Sequence, residues 1–527
     1  MLDRSQEIRV IDLFAGPGGL GEGFASFKNG NYDPFKIVLS IEKDPIAFKT
    51  LQLRSFFRQF KKGDVPDEYY QYLRGEIKGS TLFKRYPAEY KRAKQATWLL
   101  ELGSSNASPK KVNERINAAL DGSNNWVLIG GPPCQAFSLI GRVKIKSDSE
   151  KKQKDFDKDH RHFLYREYLK IIATHKPSVF VMENVPGILS SKVNGTNTFE
   201  RILSDLKNPD KAISVLNGYP TQNNKESLTY NIYSLVRPSE NANELQPADY
   251  IIKSESYGIP QARHRVILLG IRSDIQTRPG QLAQSSLPIS MWEAISGLAK
   301  IRSKLSKEPD SNDLWKSVLH SIPQYKWFDD SKLEEPLKEM LKKACINDET
   351  PNNTGAEFIP GAVQVKFRPE WFGDRRIKGQ CNHSSRSHIR GDLQRYFFAS
   401  CFAEVYGRSP KIGDFPKELL PKHANVQKAI EESLFSDRFR VQVRYKPSTT
   451  ITSHISKDGH YYIHPDVQQC RSLTVREAAR LQTFPDNYLF EGPRTEQYHQ
   501  VGNAVPPLLA NQIAKVVYRL FTKYQKE

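Results

Sequence analysis

Short apolar runs recur along the first half of the chain, and patterns typical of helices separate them. The runs typical of buried strands are 8–14, 35–41, 126–130 and 178–183. The clearest helical pattern has apolar side chains at positions i, i+3, i+4 and i+7, namely Tyr165, Tyr168, Leu169 and Ile172. Strands that alternate with helices predict an α/β fold with a doubly wound, mostly parallel sheet. In such sheets, ligands bind at the carboxyl ends of the strands.

Two further apolar runs, 249–256 and 265–272, predict an antiparallel addition to the sheet. The link between them is too short for a helical crossover, so we expect a hairpin that ends in an antiparallel strand. If the first strand of this hairpin runs parallel to the sheet, the turn lies at the same edge as the other loops. Arg263 and Arg265 would then face the site.

The pattern becomes irregular between residues 275 and 447, where basic clusters surround one predicted helix at 392–407. We interpret 275–447 as a separate, smaller domain. Two helices are predicted after it. The first begins at Thr474 with the spacing of a capping box, and the second, at 505–521, carries an apolar stripe after two prolines.

The composition is typical of a globular protein with a polyanionic partner. Of the 527 residues, 38% are hydrophobic and 26% are charged, and the formal net charge of +19 favours nucleic acid as the partner. Five cysteines are too few for a disulfide framework and favour a reduced, cytoplasmic setting. We expect no membrane contact, because the N-terminus lacks a signal-peptide pattern and no apolar run reaches roughly 18 residues.

The first predicted strand leads into the glycine-rich stretch FAGPGGLG. Gly16, Gly18 and Gly21 have the spacing of a dinucleotide-binding turn. Glu42 ends the next strand, where a carboxylate can accept hydrogen bonds from ribose hydroxyls, and Phe14 offers an aromatic face to an adenine or a sulfonium. These residues predict an adenosine cofactor without naming it. A nicotinamide oxidoreductase and a purely structural turn both remain alternatives at this point.

A cysteine follows the strand 126–130, after two glycines and two prolines in the stretch GGPPC. A single cysteine is usually a small buried residue, but the prolines hold Cys134 in one direction at the functional edge. Glu183 ends another strand at that edge. A thiolate that adds to carbon 6 of a pyrimidine makes carbon 5 nucleophilic, and a glutamic acid at ring nitrogen 3 assists the addition. Arg263 or Arg265 would help to form the thiolate, and S-adenosylmethionine would supply the methyl group.

The sequence resembles the DNA cytosine-5 methyltransferases. The motifs that carry the resemblance stand in the family's order: DLFAGPGG, GGPPCQAFS, MENVPG, QARHR, RSLTVREAARLQTFPD and QVGNAVPP. The resemblance implies methyl transfer from S-adenosylmethionine to carbon 5 of a cytosine flipped out of double-stranded DNA. It implies that Cys134 is the nucleophile, that Glu183 acts at ring nitrogen 3, and that Arg263 and Arg265 support the flipped base and the carboxyl group.

The resemblance also implies which residues line the cofactor site, namely Phe14, Gly16, Gly18, Glu42, Asn503 and Ala504. Residues 1–274 would form the catalytic and cofactor-binding domain, and 448–527 would be a hinge and C-terminal segment that completes it. The family places an acidic residue after its third strand, near the adenine. Because an insertion, 54–90, follows the second strand, Asp64 and Glu101 are both candidates, and we favour Glu101 as nearer the next strand.

Target recognition would fall to residues 275–447, where the resemblance transfers no single residue. The arginines that could contact bases are Arg375, Arg376, Arg386 and Arg390, although a solvated surface charge is the more common role for any one of them. Cys381, His383 and His388 lie close together in sequence, but a fourth zinc ligand is not evident, so no metal is predicted.

The family's role in restriction–modification makes a cognate restriction nuclease the expected partner, and a monomer is the default state. Two alternatives remain. A transfer RNA cytosine-5 methyltransferase would have the same fold, but the large middle region disfavours it. A catalytically inactive DNA-binding protein is disfavoured by the intact Cys134 and Glu183.

Overall fold

The computed structural model describes residues 7–61, 63–132, 160–193, 196–216, 228–238, 244–346, 349–421 and 437–524. The strands in these ranges are β1 Ile8–Leu13, β2 Phe35–Glu42, β3 Thr97–Leu99, β4 Trp126–Gly130, β5 Val179–Asn184, β6 Lys192–Val193, β7 Thr196–Asn197, β8 Tyr230–Tyr233, β9 Ile251–Lys253, β10 Gln261–Ala262, β11 His264–Arg272, β12 Lys304–Leu305, β13 Gly355–Pro360, β14 Gly379–Ser384, β15 Ser387–His388 and β16 Ser448–Thr449.

The α-helices in the same ranges are α1 Gly19–Ala25, α2 Pro45–Phe57, α3 Asp67–Leu73, α4 Gly79–Arg85, α5 Pro87–Gln95, α6 Pro109–Leu120, α7 His160–His175, α8 Thr198–Lys207, α9 Pro209–Leu216, α10 Met291–Ile295, α11 Asn312–His320, α12 Glu335–Ile346, α13 Pro369–Phe372, α14 Arg390–Tyr406, α15 Val475–Leu481, α16 Arg494–Asn503 and α17 Pro507–Tyr524. None of these helices is long and apolar enough to cross a membrane.

An eight-stranded sheet forms the centre of the fold, in the order β3-β2-β1-β4-β5-β11-β8, with β9 also paired to β11. The pairs from β3 to β5 are parallel, whereas β11 is antiparallel to β5, β8 and β9. The predicted α/β class, with a mostly parallel sheet and a final antiparallel strand, is therefore confirmed. The short strands β3 and β8 are additions that the apolar pattern did not predict.

Helices cover both faces of the sheet. Neighbouring side chains of a strand point to opposite faces and so belong to different cores. Val10 and Val127 belong to a core that includes α1, α15, α16 and α17. Ile11 and Leu128, the next residues in the same strands, belong to a second core with α6, α7 and α8. The end of the chain thus packs against the face of the sheet formed by its beginning.

The last helix, α17, follows its prediction closely. The stripe residues Leu509, Ile513, Val516, Val517 and Leu520 are all buried against the sheet domain. Its contact with α1 is very close, since a Cβ added at Gly23 would lie 2.3 Å from the Ala510 Cβ. The capping box that begins α15 at Thr474 is also present.

The middle region contains more helices than the single one that the sequence predicted. The predicted helix is α14, and α11 and α12 pack against it around an aromatic core. The patterns of α11 and α12 were harder to recognise, because these helices span only 9 and 12 residues. Some residues pack outside the region to which they were predicted to belong. Met291 and Phe372 pack in the core of the sheet domain, and Cys470 packs in the core formed around α11, α12 and α14.

Candidate active site and cofactor site

The centre of the site is an ion pair between two neighbouring strands. Glu183 lies near the end of β5 and Arg265 near the start of β11. The antiparallel register pairs Glu183 with Ile267, so Arg265, two residues earlier, is a diagonal neighbour on the same face of the sheet. The Arg265 Nε lies 2.8 Å from the Glu183 Oε1, with side chains 12% and 15% exposed. Burial lowers the pKa of Arg265, and the Glu183 charge opposes this effect.

The beginning of the GGPPC loop lies against the same carboxylate. A Cβ added at Gly131 would lie 2.7 Å from the Glu183 Oε2, so only glycine fits there without a shift. The Asn184 amide donates to the Pro132 carbonyl at 3.4 Å. Two residues further on, Cys134 lies outside the described residues, and its role stays a prediction.

Arg263 has a different environment from Arg265. It is 1% exposed, and its guanidinium donates to the carbonyls of Ile451 at 2.6 Å and Gly502 at 3.0 Å. Burial, with the charge of Arg265 adding to it, lowers the pKa of Arg263. The hydrogen bonds of Arg263 therefore join the β9–β11 hairpin to the C-terminal segment. The charges of Arg265 and Glu183 also act on Arg263, and its role at the site stays a prediction.

Three predicted cofactor residues shape the loop after β1. Phe14, Gly16 and Gly18 all have positive φ, of 56°, 56° and 99°. The Glu42 Oε2 accepts a hydrogen bond from the Gly16 amide at 2.7 Å, and its Oε1 accepts from the amides of the next two residues at 2.8 Å each. Burial raises the pKa of Glu42, and these amides oppose the rise. Glu42 therefore holds the glycine loop in place.

The C-terminal segment closes over this loop. A Cβ added at Gly19 would lie 2.4 Å from the Val505 carbonyl oxygen and 3.2 Å from the Ala504 Cβ. Asn503 ends α16 and is exposed, whereas Ala504 is buried. Ala504 therefore lies beside the start of α1, and the cofactor role of Asn503 and Ala504 stays a prediction.

Tyr488 is a second contact that the sequence did not indicate. Its hydroxyl donates to the Pro17 carbonyl, and a Cβ added at Gly18 would lie 3.0 Å from the same hydroxyl. No local pattern marks this tyrosine, because its role depends on the return of the C-terminal segment to the loop.

The two acidic residues that could contact the adenine, Glu101 and Asp64, lie in different parts of the structure. Glu101 follows β3, beside the end of β2, since the Leu100 amide donates to the Glu42 carbonyl at 2.9 Å. The Lys43 Nζ lies 3.0 Å from the Glu101 Oε1, and both side chains are about half exposed. Asp64 lies in the link between α2 and α3. Glu101 is thus placed beside the strand end that carries Glu42, and its contact with the adenine stays a prediction.

The sequence also did not indicate that two carboxylates, those of Asp12 and Glu22, are buried beneath the loop. Burial raises the pKa of Asp12, on β1, to about 7, although the Arg58 charge opposes it. Glu22, on α1, binds Arg54 through Nε at 2.9 Å and Arg58 at 2.7 Å. Although burial alone would raise it, the two arginines lower the pKa of Glu22 to about 2. The available signal was an acidic residue within an apolar strand and within a glycine-rich turn.

The middle-region arginines divide into different roles. Arg386 is 8% exposed, donates to the carbonyls of residues 455–457 and stacks on Tyr498. The idea that it contacts bases is corrected, because its guanidinium is buried and both of its Nη atoms already donate to carbonyls inside the protein. Arg376 binds Asp67, and Arg390 binds Glu308, each at 2.7 Å. Arg375 is exposed.

The zinc alternative is not supported by the described part of the chain. His383 bonds Thr474 Oγ1 at 2.8 Å and the Ala299 carbonyl at 2.9 Å, and Cys381 is buried in an aromatic core. His388 faces Ser472. Among the described residues, no group of three or more His, Cys, Asp or Glu side chains could hold a metal ion.

An α/β sheet with a glycine loop after β1 and a Glu–Arg pair at the carboxyl ends of its strands is an arrangement typical of enzymes that bind a nucleotide-containing cofactor. Residues 8–79, 94–214 and 243–519 match the model of the C-5 cytosine-specific DNA methylases. The chain belongs to this family, and its enzyme class is DNA (cytosine-5-)-methyltransferase. The family predicted from the sequence motifs is confirmed.

Curated relatives agree with this assignment. The chain is 31% identical to the type II methyltransferase M.Bpa9945I of Bacillus paralicheniformis, over 96% of this chain and 98% of that protein. It is 25% identical to the type II methyltransferase M.DdeI of Desulfomicrobium norvegicum, over 96% and 88%. It is 27% identical to the DNA (cytosine-5-)-methyltransferase M.ApeKI of Aeropyrum pernix, over 76% and 82%.

Proposed function

We propose that this enzyme transfers a methyl group from S-adenosylmethionine to carbon 5 of a cytosine that is flipped out of a specific double-stranded DNA sequence. We propose further that it is the modification enzyme of a type II restriction–modification system, as its relatives' names suggest, with a cognate nuclease as partner. The observation that carries the chemical proposal is the Glu183–Arg265 pair, which lies against the first residues of the GGPPC loop.

In the contacts that the described residues make, one oxygen of Glu183 is left for the substrate. Arg265 binds Oε1, whereas Oε2 faces Gly131 at the start of the loop that carries Cys134. Arg265 would therefore fix the direction of the carboxyl group, and Oε2 would meet ring nitrogen 3 of the cytosine. The absence of a side chain at Gly131 leaves the space that this contact needs.

The proposed reaction uses Cys134 as the nucleophile. As its sulfur bonds to carbon 6, ring nitrogen 3 takes a proton held by Glu183, and carbon 5 becomes nucleophilic. After carbon 5 has gained the methyl group, it loses its own proton to solvent. The sulfur–carbon bond then breaks, nitrogen 3 returns its proton to Glu183, and the thiolate is restored.

The residues around the glycine loop fit S-adenosylmethionine, which supplies the methyl group when bound. A Cβ added at Gly16 would meet open space, so the loop leaves room beside its backbone. The Glu42 carboxylate uses three of its roughly four acceptor positions on backbone amides, which leaves one for a ribose hydroxyl. Phe14, Glu101 and Asn503 complete the proposed lining.

The DNA would be held mainly by charge. The net charge of +19 is suited to phosphate contacts, and the contacts would offset the few kcal/mol that flipping a base costs. We propose that residues 275–447 read the sequence and that the enzyme acts as a monomer.

Covalent trapping tests the proposal directly. With S-adenosylmethionine and DNA containing 5-fluorocytosine at the target, the enzyme should form an adduct that survives denaturing electrophoresis. Cys134→Ala should form none while still binding DNA. Bisulfite sequencing of DNA from cells that express the chain should reveal methylated cytosines in one sequence context. An adduct with Cys134→Ala would refute the nucleophile, and unmethylated DNA together with no adduct would refute the activity.

A further inference from the structure

The insertion between β2 and β3 shares a hydrophobic core with the middle region. Its helices α3, α4 and α5 pack with α2 around buried residues such as Phe56, Tyr69 and Leu82. The same core contains Ile377 and Cys381, which belong to the middle region and are 2% and 1% exposed. The match to the family model omits residues 80–93, which include most of α4 and α5.

Arg376 forms the polar part of this contact. Its guanidinium lies 2.7 Å from the Asp67 Oδ1 and donates to the Gly63 carbonyl at 3.1 Å. It also stacks on Tyr70, with its Cζ 4.4 Å from the ring centroid. In the opposite direction, Arg74 donates to the Arg376 carbonyl at 3.3 Å. Arg376 therefore makes its contacts with the insertion through both its side chain and its backbone.

Asp374 extends the contact to a third part of the chain. Its Oδ2 accepts hydrogen bonds from the Tyr70 hydroxyl at 2.8 Å and from the Asn487 amide at 2.9 Å. Asn487 in turn accepts a hydrogen bond from Arg54 on α2 at 3.0 Å. One carboxylate thus joins the insertion, the middle region and the C-terminal segment.

We propose that the insertion is a clamp that fixes the middle region relative to the catalytic site, with Asp67, Asp374 and Arg376 as its positioning residues. This inference rests on the proposed function, in which the middle region reads DNA. A target base must reach Glu183 with its ring correctly placed, and an error of about 1 Å costs on the order of 100-fold in rate. A recognition domain held at fixed distance from the sheet meets this need. Arg376 then acts through the position of the domain and does not read bases.

A direct contact between Arg376 and a DNA phosphate is the competing account, because its side chain is 35% exposed. The two accounts predict opposite effects of Asp67→Asn. Removing a carboxylate beside a phosphate-binding arginine would leave DNA binding unchanged or tighten it. Opening the clamp would weaken DNA binding, because Arg376 would lose its partner.

The test compares Arg376→Gln, Asp67→Asn and the double variant of the full-length enzyme in steady-state methylation. Each single change should raise the KM for DNA by no more than about fivefold, because an ion pair with an exposed carboxylate contributes little by itself. The KM for S-adenosylmethionine should not change. The double variant should be no worse than either single variant, because both remove the same contact.

Arg408→Gln is the matched control. Arg408 pairs with Asp414 at 2.8 Å and stacks on Phe402, as Arg376 does on Tyr70, but all three residues lie within the middle region. The KM of the Arg408→Gln enzyme for DNA should equal that of the unmodified enzyme. Thermal unfolding of every variant excludes loss of the fold, and Tyr70→Phe, which removes only the hydroxyl at Asp374, should reproduce a smaller rise in KM.

Hydrogen exchange separates failure of the clamp from failure of the proposed function. In Asp67→Asn the amides of residues 374–381 should exchange faster, whether or not the enzyme methylates DNA. Unchanged exchange together with an unchanged KM for DNA would overturn the clamp. A higher KM in Arg376→Gln alone, with Asp67→Asn unaffected, would also overturn it in favour of a phosphate contact.

Discussion

The Arg265 Nε lies 2.8 Å from the Glu183 Oε1, and neither side chain is more than 15% exposed. Such a pair is costly to break on one side, since the remaining charge stays buried without its partner. Its position at the edge of the sheet, beside Gly131, makes it the part of the site that mutations can test most directly.

Arg265→Gln should lower kcat by roughly 10- to 1000-fold, which is part of the roughly 100- to 10,000-fold that general acid–base catalysis contributes. The KM for S-adenosylmethionine should change little, because the glycine loop lies apart from this pair. Steady-state kinetics with saturating DNA would measure both constants. Arg272→Gln, at the other end of β11 and paired with Asp274, is the control and should retain kcat. Equal losses in the two variants would contradict the assignment.

Gly131→Ala should reduce kcat in a protein that still folds. The added Cβ would lie 2.7 Å from the Glu183 Oε2, so the carboxyl group or the loop must move. A Cβ at Gly280 meets nothing within 4 Å, and Gly280→Ala should therefore be neutral. Single-turnover methylation, with thermal unfolding of both variants, distinguishes a displaced carboxyl from a misfolded protein. Full activity of Gly131→Ala would show that Glu183 tolerates displacement.

Gly18→Ala should destabilise the protein more than Gly16→Ala. Both positions have positive φ, which costs an L-residue about 1–2 kcal/mol. At Gly18 the new Cβ would also lie 2.9 Å from the Leu51 Cδ1 and 3.0 Å from the Tyr488 hydroxyl, whereas at Gly16 it meets open space. Urea unfolding would compare the two. An equal loss of stability would mean that Leu51 and Tyr488 can move aside at no cost.

Asp12 should make the free energy of unfolding fall as the pH rises from about 4 to about 7. Burial raises its pKa from 3.8 to about 7 in the folded protein. The folded state therefore holds a proton that the unfolded state has lost, and the stabilisation present below about pH 4 disappears as the pH approaches 7. Asp12→Asn should remove this slope between pH 4 and 7, as measured by urea midpoints across that range. A slope unchanged in Asp12→Asn would assign the titration to another group.

The sequence determined the strands of the sheet and the loops that follow them, except for the short strands β3 and β8. An apolar run such as 126–130 is local, and every residue of β4 is buried as its composition requires. The glycine loop was equally readable, because positive φ at Gly16 and Gly18 is a property of the backbone that only glycine adopts easily. The hairpin that brings Arg265 to the edge followed from the shortness of its link.

Tertiary structure decided which partners the charged side chains bind. Arg263 and Arg265 are two residues apart and alike in sequence, yet one binds carbonyls of the C-terminal segment and the other binds Glu183. Arg376 and Arg386 likewise find partners far away along the chain. The partner of a long cation depends on which distant segment packs beside it, so local sequence leaves it open. The position of Glu101 likewise depends on a distant contact, because the pairing of β3 with β2 places it beside the end of β2.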